Sequence, residues 1–539
     1  MPRRSPSHFS SPHSVSIPLL PRQIMGMADK TRVLILGGGF GGLYAALEFE
    51  KRRNPRFEVT VVNRENFFLF TPMLHEIAAS DLDLTNIVNP VRKMIRHVNF
   101  FCGDVDEIDI DKKQDVVSHG FDRHSHTLDY DHLVLALGSV TNFFNLPGVA
   151  ERALTMKSLG DAIQLRNRLI AHLEEADTEC ARAERPPLLT FVVAGGGFAG
   201  VETIASINDF LRDALPFYPN LKEEMLRLVL VHPGEYILPE LGEKLGRYAD
   251  RKLRERGVEI RAKSKVAAVR PNEIELSDGD KIVSSTLIWT AGISPNPILD
   301  RVPCEKERGR VRVNSNLKVE GVDGLWALGD CALVPDPATG KYCPPTAQHA
   351  SREGKVVARN IIATIYGRPK TPFSFKTLGA LAAIGRRTGV ARILGINFSG
   401  FLAWFLWRGI YWSKLPRIEK KVRVAIDWAL DVLFTKDFVQ FLDQRALVHT
   451  QTETGAAPWN REHLSVAGGD DAGRGAIAGA EKPGSSPPAT TVNSARGCVR
   501  NSCGTRCGCS FSYAAIPSVG SCELIELHPM SMRALRSTA

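Results

Sequence analysis

The sequence of 539 residues lacks an uncharged apolar run of the ~20 residues that a transmembrane helix requires. Its most apolar stretch, residues 398–412, is interrupted by Arg408, so a membrane-spanning helix is only the second choice there. Acidic residues are missing before Asp29, as in transit peptides, but prolines oppose the amphipathic helix that such peptides form. We therefore expect residues 1–29 to be a disordered leader or, preferably, an over-extended start.

Disulfide frameworks and standard zinc motifs are also absent from the cysteine pattern. The cysteines before residue 450 are scattered singly: Cys102, Cys180, Cys304, Cys331 and Cys343. This pattern is typical of a reduced, cytoplasmic protein. Tail residues Cys503, Cys507 and Cys509 have C-x3-C and C-x-C spacings, whereas zinc sites use C-x2-C pairs, so we predict no metal site.

The composition is that of a globular protein with sizeable cores, because 44% of the residues are hydrophobic and 24% are charged. At ~100–200 residues per domain, the length predicts two to four domains. The net charge of +9 suits an anionic partner, but charge alone leaves a membrane surface, a nucleic acid and a phosphorylated cofactor open.

The first organised stretch is residues 32–51, RVLILGGGFGGLYAALEFEK. Its apolar residues 33–36 predict a buried strand, and a helical pattern begins at Leu43. Gly37, Gly39 and Gly42 have the G-x-G-x-x-G spacing, which permits the turn, the approach of a pyrophosphate and close helix–strand packing. The helix N-terminus then faces the phosphates. Such a motif alone is weakly specific, but the flanking strand and helix favour nucleotide binding.

The second half of the chain repeats this plan. Residues 188–200, LLTFVVAGGGFAG, predict another strand and another motif at Gly195, Gly197 and Gly200. From Val258 onward the pattern predicts a strand meander. The first motif glycine precedes Gly138 by 101 residues in the first unit and Gly292 by 97 residues in the second. Two units of matching order indicate an internal duplication. Two facing nucleotide sites predict an oxidoreductase with one flavin and one nicotinamide dinucleotide.

Three polar residues follow predicted strands. Asn63 ends the strand of residues 57–62, where such folds usually place an acid on the ribose hydroxyls. His232 ends the corresponding strand of the second unit. Asp330 ends the apolar stretch 324–329, where duplicated flavin folds place an aspartate at the flavin side of the cofactor, although an ordinary turn aspartate is the alternative.

Six motifs, in this order and spacing, identify a family: GGGFGGL at 37–43, NFFLFTPMLHEIA at 66–78, ALGSVTNFF at 136–144, GGGFAGVE at 195–202, ALGDCALVPDP at 327–337 and PPTAQHA at 344–350. Residues 30–450, about four-fifths of the chain, resemble the type II NADH dehydrogenases, which are single-chain, FAD-containing NADH:quinone oxidoreductases of the membrane surface. The resemblance implies an α/β fold with two Rossmann-like dinucleotide-binding domains, the duplicated flavoprotein disulfide-reductase-like fold, and a C-terminal amphipathic helical membrane-binding region.

The resemblance also implies that FAD binds the first unit and Asp330, and that NADH binds the second unit. Glu202 matches the family's glutamate where NADH, flavin and quinone meet, and Gln348 matches a glutamine that borders the quinone pocket. We expect these two to be catalytic; a first-turn helix carboxylate and a loop amide are their structural alternatives. The expected cofactor-binding residues are Gly37, Gly39, Gly41, Gly42, Asn63, Ala136, Gly138, Asp330, Ala347, Gln348, Gly195, Gly197, Gly200, Glu202, His232 and Gly292.

Two positions depart from the family's pattern. Arg352 replaces a second glutamine four residues after Gln348, which leaves the quinone type open. His232 replaces an acid that binds the adenosine ribose and repels a 2′-phosphate, so NADPH stays open while NADH is preferred. Glu235 is the nearest residue that could supply the missing carboxylate.

The end of the matched region changes character. The aromatic stretch 398–412 precedes a basic cluster and a helix with a polar stripe at Arg423, Asp427 and Asp431, a pattern typical of an interfacial membrane anchor. A helical hairpin that packs on the body or forms a dimer interface is the alternative. The expected segments are a leader (1–29), the first part of the FAD domain (30–150), the NAD(P)H domain (151–290), the second part of the FAD domain (291–390), membrane-associated helices (391–450) and a disordered tail (451–539).

The predicted enzyme is a non-proton-pumping respiratory dehydrogenase that takes hydride from NADH onto FAD and reduces a membrane quinone. Its expected partners are NADH, quinone, surface lipids and a second copy in a homodimer, but no nucleic acid. We expect it at the cytoplasmic face of the inner (plasma) membrane. The alternatives are a sulfide:quinone or NADPH-dependent flavin oxidoreductase and a non-catalytic NAD(P)H-sensing protein that interacts with membranes. A disulfide reductase is not expected, because neither glycine helix of this sequence carries the redox cysteine pair that such an enzyme needs.

Overall fold

The computed structural model of the protein describes residues 30–441. The predictions for residues 1–29, 442–450 and 451–539 lie outside the described residues.

The helices and strands follow in three groups. The first group comprises β1 (Thr31–Leu36), α1 (Phe40–Arg52), β2 (Phe57–Asn63), β3 (Phe67–Leu69), α2 (Leu74–Ala78), β4 (Val88–Pro90), β5 (Asn99–Cys102), β6 (Asp104–Asp109), β7 (Gln114–His119), β8 (His124–Asp129), β9 (His132–Leu135), β10 (Ser139–Thr141) and α3 (Val149–Arg152). The second comprises β11 (Leu154–Thr155), α4 (Leu159–Thr178), α5 (Arg185–Leu189), β12 (Thr190–Ala194), α6 (Phe198–Ala214), β13 (Arg227–His232), α7 (Glu243–Glu255), β14 (Val258–Ala262), β15 (Val266–Arg270), β16 (Glu273–Leu276), β17 (Lys281–Val283), β18 (Thr286–Trp289) and β19 (Ile293–Pro295). The third comprises β20 (Lys306–Glu307), β21 (Arg310–Arg312), β22 (Leu325–Ala327), β23 (Ala332–Leu333), β24 (Pro335–Asp336), β25 (Lys341–Tyr342), α8 (Ala347–Ile365), β26 (Gly379–Ala383), β27 (Gly389–Ile393), β28 (Ile396–Gly400), α9 (Phe401–Lys414) and α10 (Ile418–Leu433).

The first parallel sheet has the strand order β22-β9-β1-β2-β5. Residues 33–36 of its central strand are all buried, because a parallel sheet covered on both faces needs continuous apolar strands. Helix α1 packs against α8 so closely that a Cβ on Gly354 would overlap the carbonyl oxygen of Gly41. The sheet is therefore completed by a strand and a helix from the third group.

The second parallel sheet repeats the arrangement, in the order β11-β18-β12-β13-β14. Antiparallel three-stranded sheets, β6-β7-β8 and β15-β16-β17, accompany the two parallel sheets. The two parallel Rossmann-like sheets of the predicted α/β fold are thus present.

Three local predictions differ from the structure. Helix α1 begins at Phe40 rather than Leu43, because the chain already turns helical after Gly39, the residue before the first helical turn. The strand that begins at Val258 pairs with β13 in the parallel sheet, whereas the sequence predicted the start of a meander there. Residues 391–400 belong to the antiparallel sheet β26-β27-β28 rather than to helices, because Gly395 lies at positive φ (86°) in the β27–β28 turn.

Helix α10 turns the two acidic residues of its polar stripe, Asp427 and Asp431, toward the body of the protein, while Arg423 is exposed. The Asp427 carboxylate accepts hydrogen bonds from the Asp83 backbone N–H, at 3.0 Å, and from the Asn86 side chain. The apolar residues of the opposite side are exposed to the extent of 53% for Ile426 and 74% for Leu433. The helix is therefore attached by polar contacts and presents an apolar face outward.

Candidate active site

The first glycine loop leaves open space in front of a helix N-terminus. Gly37 has a φ of 105°, which side-chain-bearing residues rarely adopt, and a Cβ on Gly42 would overlap the Gly37 carbonyl oxygen. A Cβ on Gly39, in contrast, would meet nothing within 4 Å. No side chain caps the first turn of α1, so its N–H groups face this open space. The loop therefore fits a dinucleotide pyrophosphate.

The second glycine loop has the same geometry. Gly195 has a φ of 118°, and a Cβ on Gly200 would overlap the Gly195 carbonyl oxygen. A Cβ on Gly197 would again meet nothing within 4 Å, and no side chain caps α6. The chain thus carries two open cradles that fit two dinucleotides, each between a buried parallel strand and a helix N-terminus.

Asn63 and His232 support their glycine loops in the same way. The Gly38 N–H donates to Asn63 Oδ1 at 2.7 Å, and the Gly196 N–H donates to His232 Nδ1 at 3.1 Å. Nδ1 of His232 is therefore unprotonated, and burial lowers the pKa of this histidine. Both side chains are uncharged acceptors where related folds use a carboxylate.

Asp330 lies in a polar chain that joins the two halves. Ser139 Oγ donates to Asp330 Oδ2 at 2.7 Å, and Lys157 Nζ donates to Ser139 Oγ at 2.8 Å. Nearby, Ala136 is buried and its carbonyl oxygen contacts the Gly37 turn, while a Cβ on Gly138 (φ 67°) would meet nothing within 4 Å.

Gly292, unlike Gly39, Gly138 and Gly197, has no open space beside it. A Cβ there would press on the Phe144 ring at 2.5 Å, so the space around Gly292 is filled by the protein itself. The structure places Gly292 next to β19 and the Asn142 carbonyl rather than in open space.

Glu202 is buried in the first turns of α6. Its Oε1 accepts hydrogen bonds from Trp407 Nε1 at 2.8 Å and from the Ala383 N–H at 3.2 Å, and His75 Nε2 lies 3.9 Å away. Burial raises the pKa of Glu202 to about 8, and these hydrogen bonds only partly oppose the shift. A carboxyl group that is neutral at pH 7 and loses its proton near pH 8 is suited to proton transfer.

Gln348 follows Ala347 in the first turn of α8. Its Nε2 donates to the Gly379 carbonyl oxygen at 2.9 Å. Arg352 donates from Nη1 to the Gln348 carbonyl at 2.8 Å and lies over the Phe375 ring at 3.9 Å. Strand β26 therefore contacts Gln348 at its first residue, Gly379, and Glu202 at its last, Ala383.

Sequence reasoning missed the partners of these residues. In the sequence, His75 and Trp407 are only members of an aromatic-rich motif and an apolar run, and no pattern distinguishes Lys157. A histidine inside the apolar motif of residues 66–78 was the available signal, because an isolated buried histidine needs a polar partner.

The cysteines do not form a redox centre in the described residues. The Cys331 thiol is buried against the carbonyl oxygens of Leu135 and Leu328, and burial raises its pKa to about 11. Burial likewise raises the pKa of Cys343 to about 12. Reactive thiols require a lowered pKa, so these environments argue against the sulfide:quinone alternative.

The C-terminal helices expose apolar side chains. Helix α9 exposes 61% of Phe401 and 60% of Phe405, while Trp407 on its other side is buried. Arg408 lies between the Trp404 and Trp428 rings, at 4.3 and 4.6 Å, and connects α9 to α10. No helix within residues 30–441 has the length and apolar character needed to cross a bilayer.

Known proteins match this chain along most of its length. The family model "Pyridine nucleotide-disulphide oxidoreductase" matches residues 31–354, and the model "NDH2 C-terminal domain" matches residues 378–437. The chain is 32% identical over 440 residues to the type II NADH:quinone oxidoreductase Ndh of Mycobacterium tuberculosis, covering 78% of this chain and 92% of that protein. It is 31% identical over 433 residues to a probable NADH dehydrogenase of Dictyostelium discoideum, covering 78% and 94%.

Solved structures share the fold. The NDH2 of Plasmodium falciparum in complex with NADH superposes with a TM-score of 0.72 at 20% identity, covering 76% of this chain and all of that chain. The sulfide:quinone oxidoreductase of Aquifex aeolicus has a TM-score of 0.58 at 16% identity, covering 76% and 96%. The relatives confirm the predicted enzyme class, and the chain belongs to the type II NADH dehydrogenases, the NADH:quinone oxidoreductase family within the flavin-dependent pyridine nucleotide-disulphide oxidoreductases.

Proposed function

We propose that this protein oxidises NADH with FAD as its resident cofactor and delivers the electrons to a membrane quinone. FAD is assigned to the first cradle and NADH to the second. When bound, FAD supplies the chemistry of hydride acceptance from a nicotinamide and two-electron delivery to a quinone. The observation that carries the proposal is the pair of open glycine cradles, since Gly39 and Gly197 each leave space for a pyrophosphate at a helix N-terminus.

The chain's own residues orient the two dinucleotides. The N–H groups at the start of α1 and α6 bind pyrophosphate oxygens. Asn63 and His232 hold Gly38 and Gly196 in place by accepting hydrogen bonds from their N–H groups. Asp330, which accepts a hydrogen bond from Ser139 and is linked through it to Lys157, is assigned to the flavin side of the first cofactor. NADH stays the preferred nicotinamide, and NADPH is the alternative that His232 leaves open.

Glu202 and Gln348 are proposed as the polar groups that meet the quinone. A neutral Glu202 holds a proton at its carboxyl group, and Gln348 offers a side-chain amide whose present acceptor is the Gly379 carbonyl. Both depend on β26, which belongs to the C-terminal segment. Quinone binding, proton supply and the C-terminal segment are therefore parts of one site.

Helices α9 and α10 are proposed to lie on a membrane surface, at the cytoplasmic face of the inner (plasma) membrane. Support comes from the outward apolar faces of both helices and from Arg387, Lys414 and Arg423 beside them. The homodimer stays a prediction, and so do the expected segments apart from the helix assignment of residues 391–400.

The reaction is tested by anaerobic stopped-flow on the yellow holoenzyme. We expect NADH to bleach the flavin absorbance and a short-chain ubiquinone then to restore it. NADPH is compared at equal concentration. A colourless protein, or a yellow one that NADH does not bleach, would contradict the proposal and favour a non-catalytic NAD(P)H-sensing role.

Membrane attachment is tested by sedimentation with vesicles that contain phosphatidylglycerol. The double variant Leu430→Lys/Leu433→Lys removes two exposed apolar side chains from α10 and should weaken binding by at least about tenfold, since each leucine contributes roughly 1.5–3 kcal/mol when buried. Phe121→Lys, at a side chain 97% exposed in the β7–β8 turn, is the matched control and should bind as wild type does. Equal binding of all three proteins would exclude α10 as the attachment surface.

A further inference from the structure

A polar cavity reaches from the protein surface to the neighbourhood of Glu202. It has a volume of about 50 Å³, which exceeds the ~10–15 Å³ that one water needs. His75, Ser206 and Trp407 line its inner end, and the exposed Arg386 and Arg387 line its outer end. The cavity is therefore large enough and polar enough to hold water between the solvent and the buried acid.

His75 occupies the inner end of this cavity. Its ring is 94% buried, and its Nδ1 lies 2.9 Å from Ser206 Oγ. Its Nε2 lies 3.9 Å from Glu202 Oε1 and has no hydrogen-bond partner among the described residues. The Trp407 ring packs on the imidazole at 5.4 Å and donates to the same Glu202 oxygen. One ring nitrogen thus faces the cavity side and the other faces the acid.

The charged groups around the cavity come from α2, α6, α9, α10, the β26–β27 turn and the segments that follow α2 and α10. The acids are Glu76, Asp81, Asp209 and Asp431, and the bases are Arg386, Arg387, Arg408 and Lys436. Buried Glu76 Oε2 and Arg408 Nε also lack partners among the described residues, which is expected if water occupies the space between them. Burial raises the pKa of Glu76 to about 8, so this acid is mostly neutral near pH 7 and the other charged groups leave the cavity a small positive excess.

The proposed reaction requires a proton from solvent. It balances as NADH + H⁺ + quinone → NAD⁺ + quinol, so the nicotinamide supplies one hydrogen nucleus and water must supply the other. Glu202 is 93% buried and does not itself line the cavity. Any proton that Glu202 gives up must therefore be replaced through the protein.

We propose that His75 relays solvent protons from this cavity to Glu202 during quinone reduction, with Ser206 as its hydrogen-bond partner. When Glu202 gives its proton to the quinone oxygen, the N–H bond at His75 Nε2 breaks and the Glu202 O–H bond re-forms. In the same concerted step, a proton from cavity water, passed over Ser206 Oγ, forms the N–H bond at Nδ1, so the ring stays neutral, and ring rotation or a second exchange restores the first tautomer. Burial lowers the pKa of His75 to about 3, so the imidazole stays neutral between turnovers, with one N–H that donates and one bare nitrogen that accepts a proton.

The inference rests on the proposed function, and the two fail differently. If wild type is not bleached by NADH or not re-oxidised by quinone, the proposed function fails. If wild type performs both steps but His75 can be replaced without effect on proton delivery, only the relay fails.

The experiment uses holoenzyme with His75→Phe, which fills the site without a proton acceptor. We expect flavin bleaching by NADH and steady-state reduction of ferricyanide to stay as in wild type, because neither needs a proton delivered to a quinone. Re-oxidation by quinone should slow by about 10- to 100-fold, with a larger solvent deuterium isotope effect, because proton transfer becomes limiting. Added imidazole should partly restore His75→Ala, in which the ring space is empty.

The matched control is His172→Gln in α4, another buried histidine, whose Nδ1 lies 3.0 Å from the Leu188 carbonyl oxygen and which does not line the cavity. It should leave the isotope effect unchanged. If His75→Phe does not fold, Ser206→Ala tests the same route and should raise the isotope effect with a smaller loss of rate. An unchanged re-oxidation rate and isotope effect in the folded variant, or no rescue by imidazole, would overturn the relay.

Discussion

The two glycine loops are nearly identical in geometry but lead into helices that differ at their fifth residue. In both loops, the last glycine of the motif packs on the first, and the second motif glycine (Gly39 or Gly197) faces open space. The glycine just before it (Gly38 or Gly196) donates its N–H to the residue that ends the next strand. Two residues beyond the last glycine, the first half has Tyr44, half-buried beneath Lys355, and the second has buried Glu202. The two halves thus share the phosphate cradle and differ at the fifth residue of the helix behind it.

The surroundings of the two helices show the same division. Helix α1 packs against α8 through the close approach of Gly41 and Gly354, whereas α6 faces the C-terminal strand β26 and the cavity at His75. The helix behind the first cradle is therefore fixed by helix–helix packing, whereas the helix behind the second lies against the C-terminal segment.

The largest expected effect separates the cradles directly. Gly39→Val should give a folded, colourless protein, because the new side chain occupies the open space at the helix N-terminus without touching the fold. Gly197→Val should stay yellow but lose bleaching by NADH. Flavin absorbance and stopped-flow traces of the two variants measure this; a yellow Gly39→Val protein would contradict the assignment of the halves.

The second prediction concerns the position at which the halves diverge. Glu202→Gln should slow quinone re-oxidation by about 100-fold while NADH still bleaches the flavin, because the amide cannot donate the acidic proton. The raised pKa of about 8 means that the proton is present below pH 8 and lost above it, so wild-type re-oxidation should fall as pH rises through about 8. The variant should lack this fall. Tyr44→Phe, at the matched position, should keep the wild-type pH profile.

The third prediction concerns charge at the end of the second strand. His232→Asp places a carboxylate where a 2′-phosphate would lie and should reduce the efficiency of NADPH relative to NADH by about tenfold, which corresponds to roughly 1.4 kcal/mol of repulsion. Asn63→Asp, its counterpart in the first half, should not change the preference. Steady-state kcat/KM ratios for both nucleotides measure it, and an unchanged ratio in His232→Asp would place the 2′-position elsewhere.

The smallest effect is on stability. Asn63→Ala leaves the Gly38 N–H without its acceptor, and His232→Ala does the same for the Gly196 N–H. We expect losses of about 1 kcal/mol for Asn63→Ala and about 2 kcal/mol for His232→Ala, because the second bond is more deeply buried. Urea unfolding of the holoenzyme checks both values. Equal losses would show that burial does not distinguish the two loops.

The sequence predicts the parts of the fold that depend on local patterns. Continuous apolar runs before Gly37 and Gly195 identify the central strands, and the glycine spacing identifies the turns, because both signals lie within a few residues. The family and the enzyme class depend on the order of six motifs and are confirmed by the relatives. The helix prediction for residues 391–400 was wrong, since aromatic residues near 398 fit either structure and only sheet pairing decides.

The sequence motifs allowed candidate site residues to be named, but they did not predict which residues contact them. Glu202 and Gln348 could be named from their motifs, but their contacts could not, because Trp407 and Ala383 lie far from Glu202 along the chain. His75 reaches the same site from a third segment. Such long-range contacts depend on how helices pack, which a single sequence does not specify.

Strand β26 has a consequence for biosynthesis. Five residues near the end of the described chain hold Gln348 at one end and Glu202 at the other, although both side chains belong to helices made earlier. A nascent chain on the ribosome can therefore form both nucleotide cradles before the two side chains proposed to meet the quinone are fixed. The ability to reduce quinone should then arise only when the chain has left the ribosome and reached the lipid surface. A chain truncated before residue 379 should therefore still be yellow and be bleached by NADH, but it should not pass its electrons to quinone.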